Sequence, residues 1–355
     1  MLGKLVVESP SDMYQFGFKT NLSTSMCTHA LKTTVNYYTS LGSNVFACFV
    51  DFSKAFDKVN YWKLFTKLLD DGVDVNVAKL LAFWYCNQEI RVSWGNALSD
   101  VFMMSNGTRQ GSLISPYLFA RYMRELITCI KECGIGCNIG GVFYNILCYA
   151  DDMVLLAPSW HALQSLLNIL EEQVVIINMS CNAKKTCCMI FKCKRKVQQA
   201  CVLYPQFTIA GANLEFVSSF RYLGHILDDN LCDDRDIQRE IRNMFIRCNV
   251  LLRRFGKCSL RVKTRLFKSF CLCLYGACLW CHFSMTVMRR FKACYHKCIK
   301  LFFGFHKYDS VTRILLQLTL PSFDTLIINA RRAFANRLSL CSNGLIAHLH
   351  KLGLV

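Results

Sequence analysis

Two apolar runs in this sequence end in bare carboxylates. Phe49-Val50-Asp51-Phe52 closes one run of β-forming residues, and Tyr149-Ala150-Asp151-Asp152-Met153 sets two aspartates between a second pair of such runs. A charge at a buried strand end is costly unless it is paired or binds metal, and adjacent like charges repel. A divalent cation resolves both problems. Magnesium suits hard oxygen ligands, keeping several waters and taking one or two carboxylates plus substrate phosphates; manganese accepts the same ligands. On neighbouring strands, Asp51 and Asp151 could bridge two such ions about 4 Å apart, the arrangement used for in-line phosphoryl displacement. The plainer alternative makes each aspartate a turn residue at a strand end.

The elements that must position these acids follow from periodicity. Residues 45–50 form a continuous apolar run after Gly42-Ser43-Asn44 and read as a buried strand, with 142–149 and 153–157 as a second strand and its partner. Helical period covers 30–38, 53–69, 75–85 and 159–177, and Ser115-Pro116 opens another helix with proline at its first position. Residues 89–104 read as a hairpin turning at Gly95-Asn96. Further strands are expected at 187–191, 202–209, 214–217 and 221–223, and beyond Asp228 the pattern is helical. An α+β body therefore precedes a helical domain.

Composition limits the partners. The 355 residues are 53% hydrophobic and 19% charged with 5 prolines, which excludes a disordered tail, a collagen-like rod or a linker. Residues 1–234 hold 20 basic and 20 acidic side chains, whereas 235–355 hold 22 and 4, so the net charge of +18 sits in the last third. That asymmetry points to a polyanion, either nucleic acid or an anionic membrane surface. The 22 cysteines lie scattered among apolar runs behind an N-terminus with no signal-like apolar stretch, and read as reduced core residues. Cys278, Cys281, Cys294 and Cys298 have a spacing that could hold zinc, with two cysteine-rich helices as the alternative. The uncharged run 269–288 is long enough to span a bilayer, but Gly276, His282, Ser284 and Thr286 dilute it. A core helix and no membrane partner are expected there.

With these residues in view, the chain resembles the reverse transcriptases of non-LTR (LINE-type) retrotransposons. Phe49 to Asp57 is similar to motif A, Gly107-Thr-Arg-Gln-Gly-Ser-Leu-Ile-Ser-Pro116 to motif B, and Tyr149-Ala-Asp-Asp152 to the motif C hairpin. Asn182-Ala-Lys-Lys-Thr186 resembles motif D and Phe220-Arg-Tyr-Leu-Gly224 the primer-grip motif E, while Gln15-Phe-Gly-Phe18 with Ser23-Thr24 matches a pre-A motif. Tyr275-Gly276 and Trp280 resemble the family's C-terminal segment. Six motifs in order make the likeness specific. Group II intron maturases and telomerase-type polymerases share the palm, but the Ser-Lys-Ala-Phe-Asp run and the pre-A motif favour the LINE type.

The resemblance implies a right-hand polymerase, with partial fingers over 1–44, a palm with a fingers insertion and antiparallel sheet over 45–228, and a basic helical thumb and C-terminal segment over 229–355. It implies Asp51 and Asp151 as metal-bridging ligands, Asp152 as the third carboxylate and the Phe52 carbonyl as a further contact to two magnesium ions. Phe56 would be a steric gate against the ribose 2′-OH. Arg109, Gln110 and Gly111 would meet the nucleotide, Lys185 would protonate pyrophosphate, and Tyr222, Leu223 and Gly224 would hold the primer end. Arg235, Arg239, Arg242, Arg253, Arg254 and Lys257 would line the duplex backbone. The partners so implied are an RNA template, a DNA primer and deoxynucleoside triphosphates, met in the cytoplasm and nucleus. Lys192, Lys194, Arg195 and Lys196 read as a solvated loop or a nuclear-import patch. The pattern starts after the earliest fingers motifs, so a fragment or degraded copy of a longer element protein is expected. The alternative is a catalytically inactive nucleic-acid-binding remnant.

Overall fold

A computed structural model describes residues 13–109, 111–193 and 204–354. Its centre is the strand β1 (Val45–Val50), whose six residues are all buried. Alternate side chains leave opposite faces of a strand. On one face Phe46 meets Tyr204 and Phe207, and on the other Phe49 stacks on Phe220 at 4.4 Å and meets Tyr222 at 5.4 Å. A strand covered on both faces must read as an unbroken apolar run, which is the reason it was legible.

β1 is flanked by β2 (Ile146–Tyr149), β3 (Asp152–Ala157), β4 (Cys187–Phe191) and β5 (Glu215–Phe216), in the spatial order β5-β4-β1-β3-β2. β1 runs antiparallel to both β3 and β4, with Val50 opposite Met153 and Phe49 opposite Cys187. β2 and β3 form the expected hairpin, Tyr149 pairing with Asp152. The hairpin β6 (Ser219–Tyr222) and β7 (His225–Asp228) lies over the Phe49 face. Helices α1 (Thr24–Ser40), α2 (Tyr61–Asp70), α3 (Val75–Cys86), α4 (Ser115–Glu132) and α5 (Trp160–Ile176) complete this first core.

Four expectations shift here. Only 61–70 of the run 53–69 is helical, and Asn60 caps it by accepting from the Lys63 N–H at 3.0 Å. Residues before it are held out of a helix by distant backbone bonds, from Ser53 N–H to the Ser180 carbonyl and from Thr108 and Gly107 N–H to the Phe56 and Val59 carbonyls. The run 142–149 divides into Val142–Phe143 and Ile146–Tyr149. Of 202–209, residues 202 and 203 lie outside the described residues, and the strand there is Thr208–Ile209. The 89–104 hairpin appears as two short ribbons, Glu89 pairing with Met103 and Trp94 with Ala97 around Gly95-Asn96.

After Asp228 the chain is helical: α6 (Asp234–Phe255), α7 (Leu260–Cys271), α8 (Met285–Phe303), α9 (Val311–Leu318), α10 (Phe323–Ser339) and α11 (Gly344–Lys351). Residues 237–327 supply a second apolar core. The segment 229–355 is not one body, because Phe334, Leu338, Leu345, Ile346 and Leu349 return to the first core. Nor is 269–288 one helix: it comprises the end of α7, a 3-10 turn at Ala277–Leu279 and the start of α8. Gly276 breaks it with φ +82°, where a side chain would crowd His225 and Asp236. Among the described residues no single helix is long and apolar enough to cross a membrane, although the bent pair Val311–Leu318 and Phe323–Ser339 passes by length and composition.

The two cores meet at a buried charged joint. Lys32 of α1 pairs with Asp233 at 2.5 Å, and His225 of β7 lies 3.4 Å from Asp233 and 3.0 Å from Asp236. Trp280 donates its indole N–H to Asp236 at 2.8 Å. Burial opposes charge on His225, yet the two flanking carboxylates overcome it and raise its pKa. Burial likewise opposes charge on Asp233 and Asp236, and their cationic neighbours reverse it, holding both carboxyls below the usual range.

Candidate active site

The register assembles the acids. Val50 pairs with Met153, so the next positions, Asp51 and Asp152, are cross-strand neighbours, and Asp51 shares the face of Phe49. Neighbours of that kind have Cβ atoms about 5 Å apart, and like charges so placed destabilise the sheet. Asp151 occupies the two-residue turn between Tyr149 and Asp152. Burial, followed by Asp151 and Asp51, pushes Asp152 up to about 6; burial also raises Asp151, with Asp51 adding to it. Asp51 and Asp152 open on a cleft of about 310 Å³ lined also by Phe49, Val50, Met153, Lys185, Phe220 and Tyr222, while Asp151 stays in the turn beside it. Lys185 shares the cleft wall with Asp51 and Asp152 but is not what sets the pKa of Asp151 or Asp152.

The neighbouring loop fixes the first acid. Asn182 donates its N–H to the Asp51 carbonyl at 2.7 Å, and the Asp51 N–H reaches the Thr186 hydroxyl at 3.2 Å. Phe52 bridges Cys181 across this loop, but the backbone bonds there run through Asp51 and Ser53, so the Phe52 carbonyl takes no part in them. Lys185 hangs exposed from the same loop into the cleft. Thr186 and Asn182 were visible as motif residues, but their grip on Asp51 spans about 130 positions of sequence, and no local pattern encodes it.

Phe56 lies half-buried, stacked on Phe119 at 4.3 Å, with the edge of Phe18 at 6.3 Å. Arg109 is exposed, and Gln110 lies outside the described residues. Gly111 has φ +85° with open space around it, so its glycine is required by backbone conformation. Gly107, at φ +96°, is a close approach as well: a side chain there would meet the Asp57 backbone at 2.9 Å. On the hairpin over the cleft, Leu223 and Gly224 turn with φ +46° and +81°. Tyr275, absent from the expected site, donates its hydroxyl to the Leu223 carbonyl at 2.7 Å and pins that turn.

The basic helices divide. Arg242, Arg253, Arg254 and Lys257 are exposed on or just past α6. Arg235 is exposed and 3.4 Å from Asp228. Arg239 is instead held in the joint by Asp236 at 2.7 Å, Glu240 at 3.1 Å and the Tyr275 carbonyl at 3.2 Å, which leaves it a structural cation rather than a duplex-lining one. Of the zinc candidates, Cys294 and Cys298 are buried in the second core, with Cys298 beside Cys248. Among the described residues no three His, Cys, Asp or Glu side chains form a ready-made metal cage. A magnesium site needs none, because waters and substrate phosphates complete its shell. Asp51 and Asp152, cross-strand neighbours on the cleft with Asp151 in the adjoining turn, are hard oxygen donors that fit such an ion.

A family model described as reverse transcriptase (RNA-dependent DNA polymerase) matches residues 2–227. The chain is similar to the RNA-directed DNA polymerase from mobile element jockey of Drosophila funebris, 28% identical over 267 residues, covering 72% of this chain and 28% of that protein. It is also similar to the Retrovirus-related Pol polyprotein from type-2 retrotransposable element R2DM of Drosophila melanogaster, 27% identical over 186 residues, covering 50% of this chain and 17% of that protein. The chain thus spans less than a third of these relatives' length. Among solved structures, apo telomerase from Candida tropicalis aligns over 95% of this chain and 58% of its own, with TM-score 0.48 and 11% identity.

Proposed function

From the premise that the chain belongs to the reverse transcriptase (RNA-dependent DNA polymerase) family, we propose that it is the polymerase part of a non-LTR retrotransposon protein, adding deoxynucleotides to a primer 3′-OH on an RNA template. The supporting observation is the convergence of Asp51, Asp151 and Asp152 at one sheet end, mutually repelling, with Asp51 and Asp152 open to a cleft. These carboxylates and the Phe52 carbonyl would hold two divalent ions, magnesium or manganese, which when bound supply charge stabilisation at the attacking and leaving oxygens.

The chain's own groups do the rest. Lys185, on the cleft wall, is placed to give a proton to the departing pyrophosphate. Phe56, braced by Phe119, excludes a sugar 2′-OH. Arg109 and Gly111 approach the nucleotide, and the turn at Tyr222-Leu223-Gly224 supports the primer end. Arg242, Arg253, Arg254 and Lys257 neutralise duplex phosphates without reading sequence. Every described cysteine is free, which suits the reducing cytoplasm and nucleus proposed as its place of work.

Primer extension on poly(rA)·oligo(dT) with magnesium tests the reading. Asp151→Asn should abolish extension while RNA binding stays within about two-fold of wild type. Equal extension by both forms overturns the assignment, and binding without extension by the wild type would establish the inactive remnant in its place.

A further inference from the structure

The turn that carries Asp151 and Asp152 is built against its own preference. Tyr149 pairs with Asp152, so Ala150 and Asp151 are the two loop residues, and Ala150 sits at φ +60°. Two-residue hairpins with a left-handed first position favour glycine there, because a Cβ is strained. Loop residues also lack ladder partners for their backbone groups, and at a catalytic turn these groups must find partners elsewhere.

Gln15 supplies them. Its side chain is 2% exposed. Its amide donates to the Ala150 carbonyl at 3.0 Å, while its Oε1 accepts from the Ala150 N–H at 2.8 Å and the Gly17 N–H at 2.9 Å. Two N–H groups converge on one atom and a carbonyl faces the other, which fixes the orientation of the amide. The segment is sewn down beside β2, Gln15 bridging Cys148 and Phe16 N–H reaching the Cys148 carbonyl at 2.7 Å. Gly17 completes the fit, since a Cβ there would lie 2.4 Å from the Ala150 nitrogen.

We propose that Gln15 is a positioning residue: with Gly17 it latches the strained Ala150 turn and so sets where the Asp151 and Asp152 carboxylates stand. This rests on the polymerase reading for its consequence, though not for its geometry. Misplacing a reacting group by about 1 Å costs on the order of 100-fold in rate. Gln15→Leu keeps the burial and removes all three bonds; Gly17→Ala keeps the amide and displaces the turn sterically.

The test measures Mn²⁺ affinity by electron paramagnetic resonance, single-turnover primer extension and RNA·DNA duplex binding on the full chain, with Asp151→Asn as the metal-binding reference. Both variants should bind Mn²⁺ at least five-fold more weakly and extend about 100-fold more slowly, with duplex affinity within two-fold of wild type. Adding Ala150→Gly to Gln15→Leu removes the strain and should recover at least ten-fold of the rate, a rescue that a general packing defect would not show. Mn²⁺ affinity and rate within two-fold of wild type in both variants overturn the latch, as does a double variant no faster than Gln15→Leu. A wild-type chain that extends nothing, with Mn²⁺ binding still weakened by Gln15→Leu, leaves the latch standing and removes the polymerase reading.

Discussion

Three carboxylates crowded at one end of a sheet repel one another until a cation arrives, so removing one should strengthen the empty fold and end its chemistry together. Asp152→Asn makes the conflict measurable. Asp152 is pushed up to about 6 by burial, then by Asp151 and Asp51. Against an ordinary aspartate near 3.9, that displacement alone would be worth about 3 kcal/mol. Asp152 is more than a third exposed, however, and solvent screening reduces the usable part to about 1 kcal/mol. The sign follows from proton linkage: the folded chain holds this proton more tightly than the unfolded chain, so stability falls as pH rises from about 4 through 6 and the full penalty persists above. Asparagine mimics the protonated form. In EDTA at pH 7.5, thermal unfolding of Asp152→Asn should lie about 1–1.5 °C above wild type, and the gap should close below about pH 3.9. Magnesium should raise the wild type more than the variant, and primer extension by the variant should be lost. A variant no more stable than wild type at pH 7.5, or one with an equal gain at both pH values, refutes the argument.

Two further outcomes follow from named contacts. Phe56→Ala removes the ring braced by Phe119 and Phe18, and single-nucleotide incorporation should show discrimination against ribonucleotides falling at least about ten-fold, the scale of one buried apolar contact; unchanged discrimination would remove Phe56 from the gate. The joint between the two cores should weaken in alkali: the raised pKa of His225 gives stability that is complete below about 6.5 and lost as pH rises through its folded value, whereas the lowered Asp233 and Asp236 hold theirs above about 4. Thermal stability of the wild type should therefore fall more between pH 6.5 and 9 than that of His225→Gln, and parallel pH profiles would contradict it.

What the sequence disclosed and what it hid divide along the reach of the interactions. β1 was legible because burial on both faces demands an apolar run, and the acids were legible because each ends such a run. The pairing that unites Asp51 with Asp152 needed only the hairpin and one neighbouring strand. By contrast, residues 53–58 have helical periodicity but are bent by backbone bonds to Ser180, Gly107 and Thr108. Arg239 looks like any exposed helix cation until Asp236, Glu240 and Tyr275 close around it. The uncharged stretch 269–288 is broken at Gly276, and the turn that follows brings Trp280 onto Asp236, a contact across 44 positions.

The same distinction explains how the site is held. Repulsion among the acids works to push the end of β1 and the β2–β3 turn apart. The fold counters with neutral backbone bonds from two other segments: Asn182 and Thr186 grip Asp51 on one side, and Gln15 grips Ala150 on the other. Neutral donors and acceptors suit this task because they fix position without neutralising the charge that a cation must find. A lysine in place of either clamp would relieve the repulsion but compete with the metal. The groups that clamp the Asp51 and Ala150 backbones are therefore uncharged, which leaves the carboxylates' negative charge intact, while the cleft's lysine, Lys185, stands exposed on its wall.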